Sequence, residues 1–273
     1  MAVPRSSPAS PWIRRYAPAP DAPVRLACLP HAGGSAAFYS GVARTLSPRV
    51  DVLAVQYPGR LERRREPLME SLTELADALV DELLPWADRD LALFGHSLGA
   101  MVGFEVARRL EARGRPPVAL LVSGRGAPSR HRREFTERPA DPILIQQLRR
   151  LGGTDPRVFD NEDLVELALP VLRADYELVE SYQYRPGPPL SCPVTALNGE
   201  DDPKVTPADI EAWREHTTAA FDSVTYPGGH FYLVDRPAEV TGAIADRLAR
   251  RAGPRRGAPS TAGATRSAGE ATE

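Results

Sequence analysis

The sequence predicts an α/β fold, with a mostly parallel central sheet flanked by helices. Short apolar runs recur at 24–29, 50–55, 91–94, 118–122, 194–197 and 224–226, and runs of this kind suit strands covered on both faces. Segments of helical period stand between most of them, as right-handed βαβ crossovers require. Glycine-rich turns follow several of the runs, at the strand ends where open parallel sheets bind ligands.

In chain order, residues 1–20 are expected to be flexible, because they open on a Pro/Ser/Ala-rich stretch with no apolar core segment. The strand at 24–29 runs into Pro30-His31-Ala32-Gly33-Gly34-Ser35, a loop whose glycines allow backbone to approach a ligand closely. A helix is expected over 36–46, and the strand at 50–55 ends at Gln56-Tyr57-Pro58-Gly59-Arg60. Ser71 and Glu74 form a capping-box pattern ahead of Leu72, Leu75, Ala76, Leu79 and Leu83, which are spaced for one helix face. The run at 91–94 breaks at Gly95-His96-Ser97-Leu98-Gly99 and continues as a helix to about residue 112.

Between 124 and 189 the strands lapse, and helical patterns at 141–151 and 164–182 flank Gly152-Gly153-Thr154-Asp155-Pro156. This stretch is read as a helical lid inserted over the carboxyl edge of the sheet, against the plainer alternative of an excursion packed on its side. Alternation then resumes, with Thr206 as N-cap and Pro207 at the first helical position, and a last helix over 237–250. Residues 251–273 contain no Leu, Ile, Val or aromatic residue and are expected to be disordered. Residues 21–250 are therefore expected to form one domain.

A chain of 273 residues can bury a full core without staples. Cys28 and Cys192 sit in apolar, strand-like surroundings without metal-ligand spacing, so both read as buried small hydrophobes. The net charge of -2 argues against a nucleic-acid binder. No apolar run approaches the roughly 18 residues of a membrane span, and a cytoplasmic monomer is expected.

The chemistry centres on Ser97. A Gly-x-Ser-x-Gly pentapeptide between strand and helix makes a tight elbow that projects the serine as a nucleophile. Such a serine needs a base, and the base needs an acceptor for its other ring nitrogen. His230, in Pro227-Gly228-Gly229-His230-Phe231, and Asp202, in Gly199-Glu200-Asp201-Asp202-Pro203, both follow predicted strands, so they fall on the same sheet edge as Ser97. Asp201 is the rival acid; Asp202 is preferred because it precedes the proline at the turn. The order Ser, Asp, His is that of the α/β-hydrolases. Oxyanion donors are expected from the backbone N–H of Leu98, next after the nucleophile, and of Ala32 in the glycine loop. His96 is expected to pack at the elbow, and His131 and His216 to lie on the surface.

His31-Ala32-Gly33-Gly34-Ser35, Gln56-Tyr57-Pro58-Gly59-Arg60, Gly95-His96-Ser97-Leu98-Gly99-Ala100, Asp202-Pro203 and Gly228-Gly229-His230-Phe231, in this order, resemble the type II thioesterases associated with polyketide synthases and nonribosomal peptide synthetases. The resemblance runs from about residue 27 to 248. It implies an α/β-hydrolase fold with a helical lid, a nucleophile at Ser97, an acid at Asp202, a base at His230 and oxyanion donors at Ala32 and Leu98. The doubled aspartate departs slightly from the family pattern and leaves the acid's register open. The implied activity is hydrolysis of acyl groups from the phosphopantetheine thiol of carrier proteins, by a freestanding enzyme without a cofactor of its own. The implied partners are acyl or peptidyl carrier proteins, met transiently. Arg125, Arg130, Arg132, Arg133 and Arg138 form a basic cluster that either steers an acidic carrier or is simply a solvated face. The alternatives are a carboxylesterase or lipase, an acyltransferase with the same triad, and a carrier-binding protein with an inactive site.

Overall fold

In a computed structural model, the described residues are 10–133, 140–152 and 160–250. They form a seven-stranded sheet in the order β1-β3-β2-β4-β5-β6-β7. The strands are β1 (Ile13–Arg14), β2 (Val24–Leu29), β3 (Val50–Val55), β4 (Asp90–His96), β5 (Ala119–Ser123), β6 (Val194–Gly199) and β7 (Phe221–Tyr226). Every pairing is parallel except that of β1 with β3.

Alternation along the inner strands explains why they are mostly apolar on both faces. Ala27, Leu29, Leu53, Val55, Leu91, Leu93, Leu120 and Val122 face one cluster, shared with α2 (Leu72–Leu83) and α3 (Leu98–Ala112). Leu26, Cys28, Val52, Ala54, Ala92, Phe94 and Leu121 face the opposite cluster, shared with α1 (Ser40–Leu46) and the C-terminal helix. Successive side chains of a strand point to opposite faces, so a sheet packed on both sides is apolar on both, and the exceptions, such as Arg25 and Asp51, must be paired. Cys28 and Cys192 are buried within this packing and form no disulfide.

The helix expected over 36–46 begins as a 3-10 turn at Ala36–Tyr39 before α1. The Ser71 hydroxyl accepts the Glu74 N–H, as the capping pattern requires. The 124–189 stretch supplies α4 (Asp141–Leu151) and α5 (Glu162–Glu180). Beyond it come α6 (Pro207–Glu211), capped by a full capping box at Thr206, then α7 (Tyr232–Asp235) and α8 (Pro237–Ala249).

The expectation of a flexible 1–20 is corrected for residues 10–20. Ile13–Arg14 adds an antiparallel edge strand, Trp12 C=O accepts the Gln56 N–H at 2.8 Å, and the buried Asp51 carboxylate accepts from Arg15 and from Ala19 N–H. A two-residue strand carries no periodicity, and its anchor at Asp51 lies in another strand, so composition alone misread the segment. The expected disordered tail, 251–273, lies outside the described residues.

Candidate active site

Ser97 stands between the end of β4 and the first residue of α3, at φ 55° and ψ -113°. A non-glycine residue in this region stores about 1–3 kcal/mol of backbone strain. The flanking glycines are required by close backbone approach. A Cβ on Gly95 would lie 2.0 Å from Gly99 O, and one on Gly99 would lie 2.1 Å from Leu29 O. The start of α3 is thus seated backbone to backbone against the ends of β4 and β2. Ser97 is half-buried between buried neighbours, and its N–H donates to Ser123 O at 2.8 Å.

The loops after β6 and β7 are joined in the same way. A Cβ on Gly199 would lie 2.2 Å from Gly229 O, and Asp201 N–H donates to Gly228 O at 3.0 Å. This contact brings His230 Nδ1 to 2.7 Å from Asp202 Oδ2, with both side chains buried. Asp202 Oδ1 accepts the Lys204 N–H at 2.9 Å. Asp201 faces solvent. The His230 ring lies 4.8 Å from the ring of His96, the residue before Ser97. A methyl on Gly124 would sit 3.2 Å from His230 Cε1, which sets His230 beside the Ser123–Gly124 turn that receives Ser97 N–H.

His31 and His96 line this site as neutral rings. Burial, then the nearby His230 and Arg60, push His31 down to about 3. Burial, with His230 and His31 close by, holds His96 well below its ordinary value. His31 packs edge-on against Phe38 and Phe231, and His96 Nδ1 meets Ser123 Oγ at 2.9 Å, which in turn meets Tyr232 Oη at 2.6 Å. Leu98 opens α3, and the first N–H groups of a helix have no intrahelical acceptor. Ala32 N–H makes no hydrogen bond among the described residues, whereas Gly33 N–H is taken by Asp175 of α5. Ala32 N–H and the first N–H of α3 are thus the backbone donors left near the elbow. Among the described residues no group of three or more His, Cys, Asp or Glu side chains converges as metal ligands would.

Residues 24–248 match the family model described as "Thioesterase domain". The chain belongs to the thioesterase family. This thioesterase is 48% identical over 239 residues to "Thioesterase PikA5" of Streptomyces venezuelae, covering 87% of this chain and 85% of that one. Among solved structures it resembles the type II thioesterase BorB from the borrelidin biosynthetic cluster, with 52% identity, a TM-score of 0.81, and coverage of 87% of this chain and 97% of that one. It also resembles RedJ, a thioesterase from the prodiginine pathway of Streptomyces coelicolor, with 38% identity, a TM-score of 0.79, and coverage of 90% and 97%.

Within the thioesterase, α5 crosses the carboxyl ends of β2 and β3: Leu172 stands over Gly33, Val171 over Gly59, and Asp175 meets both Gly33 and Arg60. Tyr182, just past α5, donates to Glu105 of α3 at 2.8 Å. His216 corrects an expectation: it is buried against Phe104 and Trp213, with Nε2 2.8 Å from Ser129 Oγ, because its short helical turn folds under α3. His131 is half-buried beside Arg125. Of the basic cluster, Arg132 pairs with Asp209, Arg133 donates to Glu180 C=O, and Arg138 lies outside the described residues.

Sequence reading passed over Asp175 and gave Arg60 no role. A signal was present, since Asp175 falls three and four residues before Leu178 and Val179, on the apolar stripe of α5, where a solvated aspartate has no place. The Ser123–Tyr232 hydroxyl chain left no such signal.

Proposed function

We propose that this thioesterase hydrolyses acyl groups from the phosphopantetheine thiol of carrier proteins in a polyketide synthase or nonribosomal peptide synthetase, removing aberrant or stalled units. The observation that carries the reading is the strained Ser97 elbow set beside the buried His230–Asp202 pair, in a chain of this family. The pathway-linked names of PikA5, BorB and RedJ support the assembly-line setting.

In the proposed mechanism His230, fixed through Nδ1 by Asp202, accepts the Ser97 proton at Nε2 as Oγ attacks the thioester carbonyl. The oxyanion rests on the N–H groups of Leu98 and Ala32, and the pantetheine thiol departs with the proton. Water, deprotonated by the same histidine, then attacks the acyl-serine and releases the acid. Each step uses side chains and backbone alone, so no cofactor is invoked. The carrier is met transiently by a monomer in the cytoplasm. A cleft of about 500 Å³ lies between α4 and the Asp202 loop, lined by Gln146, Arg150, Pro203 and Lys204. Among the described residues no helix is long and apolar enough to cross a membrane.

The test compares turnover of acyl-carrier or acyl-pantetheine thioesters with oxygen esters of the same acyl group. Faster thioester hydrolysis, release of free acid in the presence of added alcohol or amine, and loss of fluorophosphonate labelling in Ser97→Ala are expected. Preferred oxygen-ester hydrolysis, or acyl transfer to the added nucleophile, would overturn the reading.

A further inference from the structure

One carboxylate ties α5 to two loops of the sheet edge at once. Asp175 is 1% exposed, and both its oxygens face the guanidinium of Arg60, itself 6% exposed. Arg60 also donates to Pro58 O at 2.6 Å and lies over the Tyr57 ring. Asp175 Oδ2 accepts the Gly33 N–H at 2.7 Å. The loop after β2, the loop after β3 and α5 therefore meet at a single side chain.

The arrangement is poorly suited to stability alone. Taking two charges out of water costs several kcal/mol per ion, and an apolar pair of similar volume often serves the fold as well or better. Arg60 Nε is moreover buried without a hydrogen-bond partner among the described residues, a further cost left unrecovered. Retaining the pair makes sense if it fixes a geometry. That geometry is the peptide joining Ala32 to Gly33. Gly34 N–H donates back to His31 O at 2.9 Å, closing the turn, and the Asp175 bond to Gly33 N–H fixes the peptide plane inside it. Gly33 holds φ 73°, and Leu172 fills the space its Cβ would take, so the turn has this shape with α5 in place. Arg60 has a second effect: a lone carboxylate here would oppose a developing oxyanion, and the paired guanidinium cancels its charge.

We propose that Asp175, neutralised by Arg60, is a positioning residue for the oxyanion pocket: it anchors the Ala32–Gly33 peptide and thereby the backbone torsions of Ala32, so that Ala32 N–H, in the adjoining His31–Ala32 peptide, is aimed at the reacting carbonyl, and it makes that aim depend on the seating of α5. This rests on the reading above that Ala32 and Leu98 are the oxyanion donors.

The test uses two double variants without the buried charges. Arg60→Met/Asp175→Asn keeps an oxygen for Gly33 N–H, and Arg60→Met/Asp175→Leu does not. Thermal midpoint, kcat and KM on an acyl-pantetheine thioester, and affinity for an alkyl boronic acid that mimics the tetrahedral species are measured for both. The Asn variant is expected to keep kcat within about threefold. The Leu variant is expected to lose about 10- to 100-fold in kcat, somewhat less than deletion of a donor costs, with KM nearly unchanged and boronate affinity falling in parallel. Asp175→Glu, which keeps both charges but displaces the carboxylate, is the second variant, and a kcat loss of about tenfold is expected. Equal kcat in the two doubles, a loss confined to KM, or an unchanged kcat in Asp175→Glu would overturn the positioning role. Wild-type thioester turnover that Ser97→Ala abolishes leaves the reading of the site standing even when the positioning role fails; a wild type that hydrolyses no thioester overturns both.

Discussion

Replacing Asp202 with Asn is the sharpest probe of the site, because the structure fixes which way the amide must face. Lys204 N–H donates to Oδ1 at 2.9 Å, and Oδ2 lies 2.7 Å from His230 Nδ1. In Asp202→Asn the amide oxygen is held on the Lys204 side, where it can still accept, so the NH₂ group faces His230. Nδ1 must then accept, and the ring proton moves to Nε2, the nitrogen that has to take the Ser97 proton. The base is present in the wrong tautomer. A triad with this defect loses about 10,000-fold in kcat, or about 5.5 kcal/mol of transition-state stabilisation. Asp201→Asn, one residue away in solvent, is expected to stay within about twofold, since exposed charges away from the reaction contribute little. The assay is kcat/KM on an acyl-pantetheine thioester, with thermal midpoints to confirm folding. Activity within tenfold of wild type in Asp202→Asn, or a larger loss in Asp201→Asn, would refute the assignment.

Other outcomes follow from the same structure. Gly99→Ala places a Cβ 2.1 Å from Leu29 O and 2.8 Å from Pro30 O, both backbone, so about 3 kcal/mol or more should be lost in urea melts; Gly103→Ala, whose Cβ would meet Leu120 Cδ1 at an ordinary 3.4 Å, should gain up to about 1 kcal/mol. Ser97→Gly and Ser97→Ala should both be inactive, with the glycine variant more stable by about 1 kcal/mol because it releases strain at φ 55°; equal melting points would argue against stored strain. His31 falls from 6.5 unfolded to about 3 folded, so below pH 6.5 the unfolded chain takes up the proton first and stability drops as pH falls. By pH 5 this amounts to about 2 kcal/mol, or roughly 4–8 °C in Tm, and His96 acts in the same direction. His31→Phe should shrink the Tm difference between pH 7.5 and pH 5, and an undiminished difference would count against a buried neutral His31.

The parallel sheet, the elbow at Ser97 and the ends of α2 and α3 were legible in the sequence, because periodicity, capping and glycine spacing act over a few residues. So was the placing of Ser97, Asp202 and His230 on one sheet edge, since each follows a strand and parallel strands end on the same side. What depends on segments distant in the chain emerged only from the folded arrangement. Asp202 and Asp201 are neighbours with the same chemistry, and only the approach of the Gly228–Gly229 turn buries one and leaves the other in water. Asp175 lies 115 residues from Arg60, and residues 10–20 are ordered by a carboxylate in β3. Burial of a polar side chain depends on the partner that arrives beside it, and that partner comes from a part of the chain that local pattern does not see.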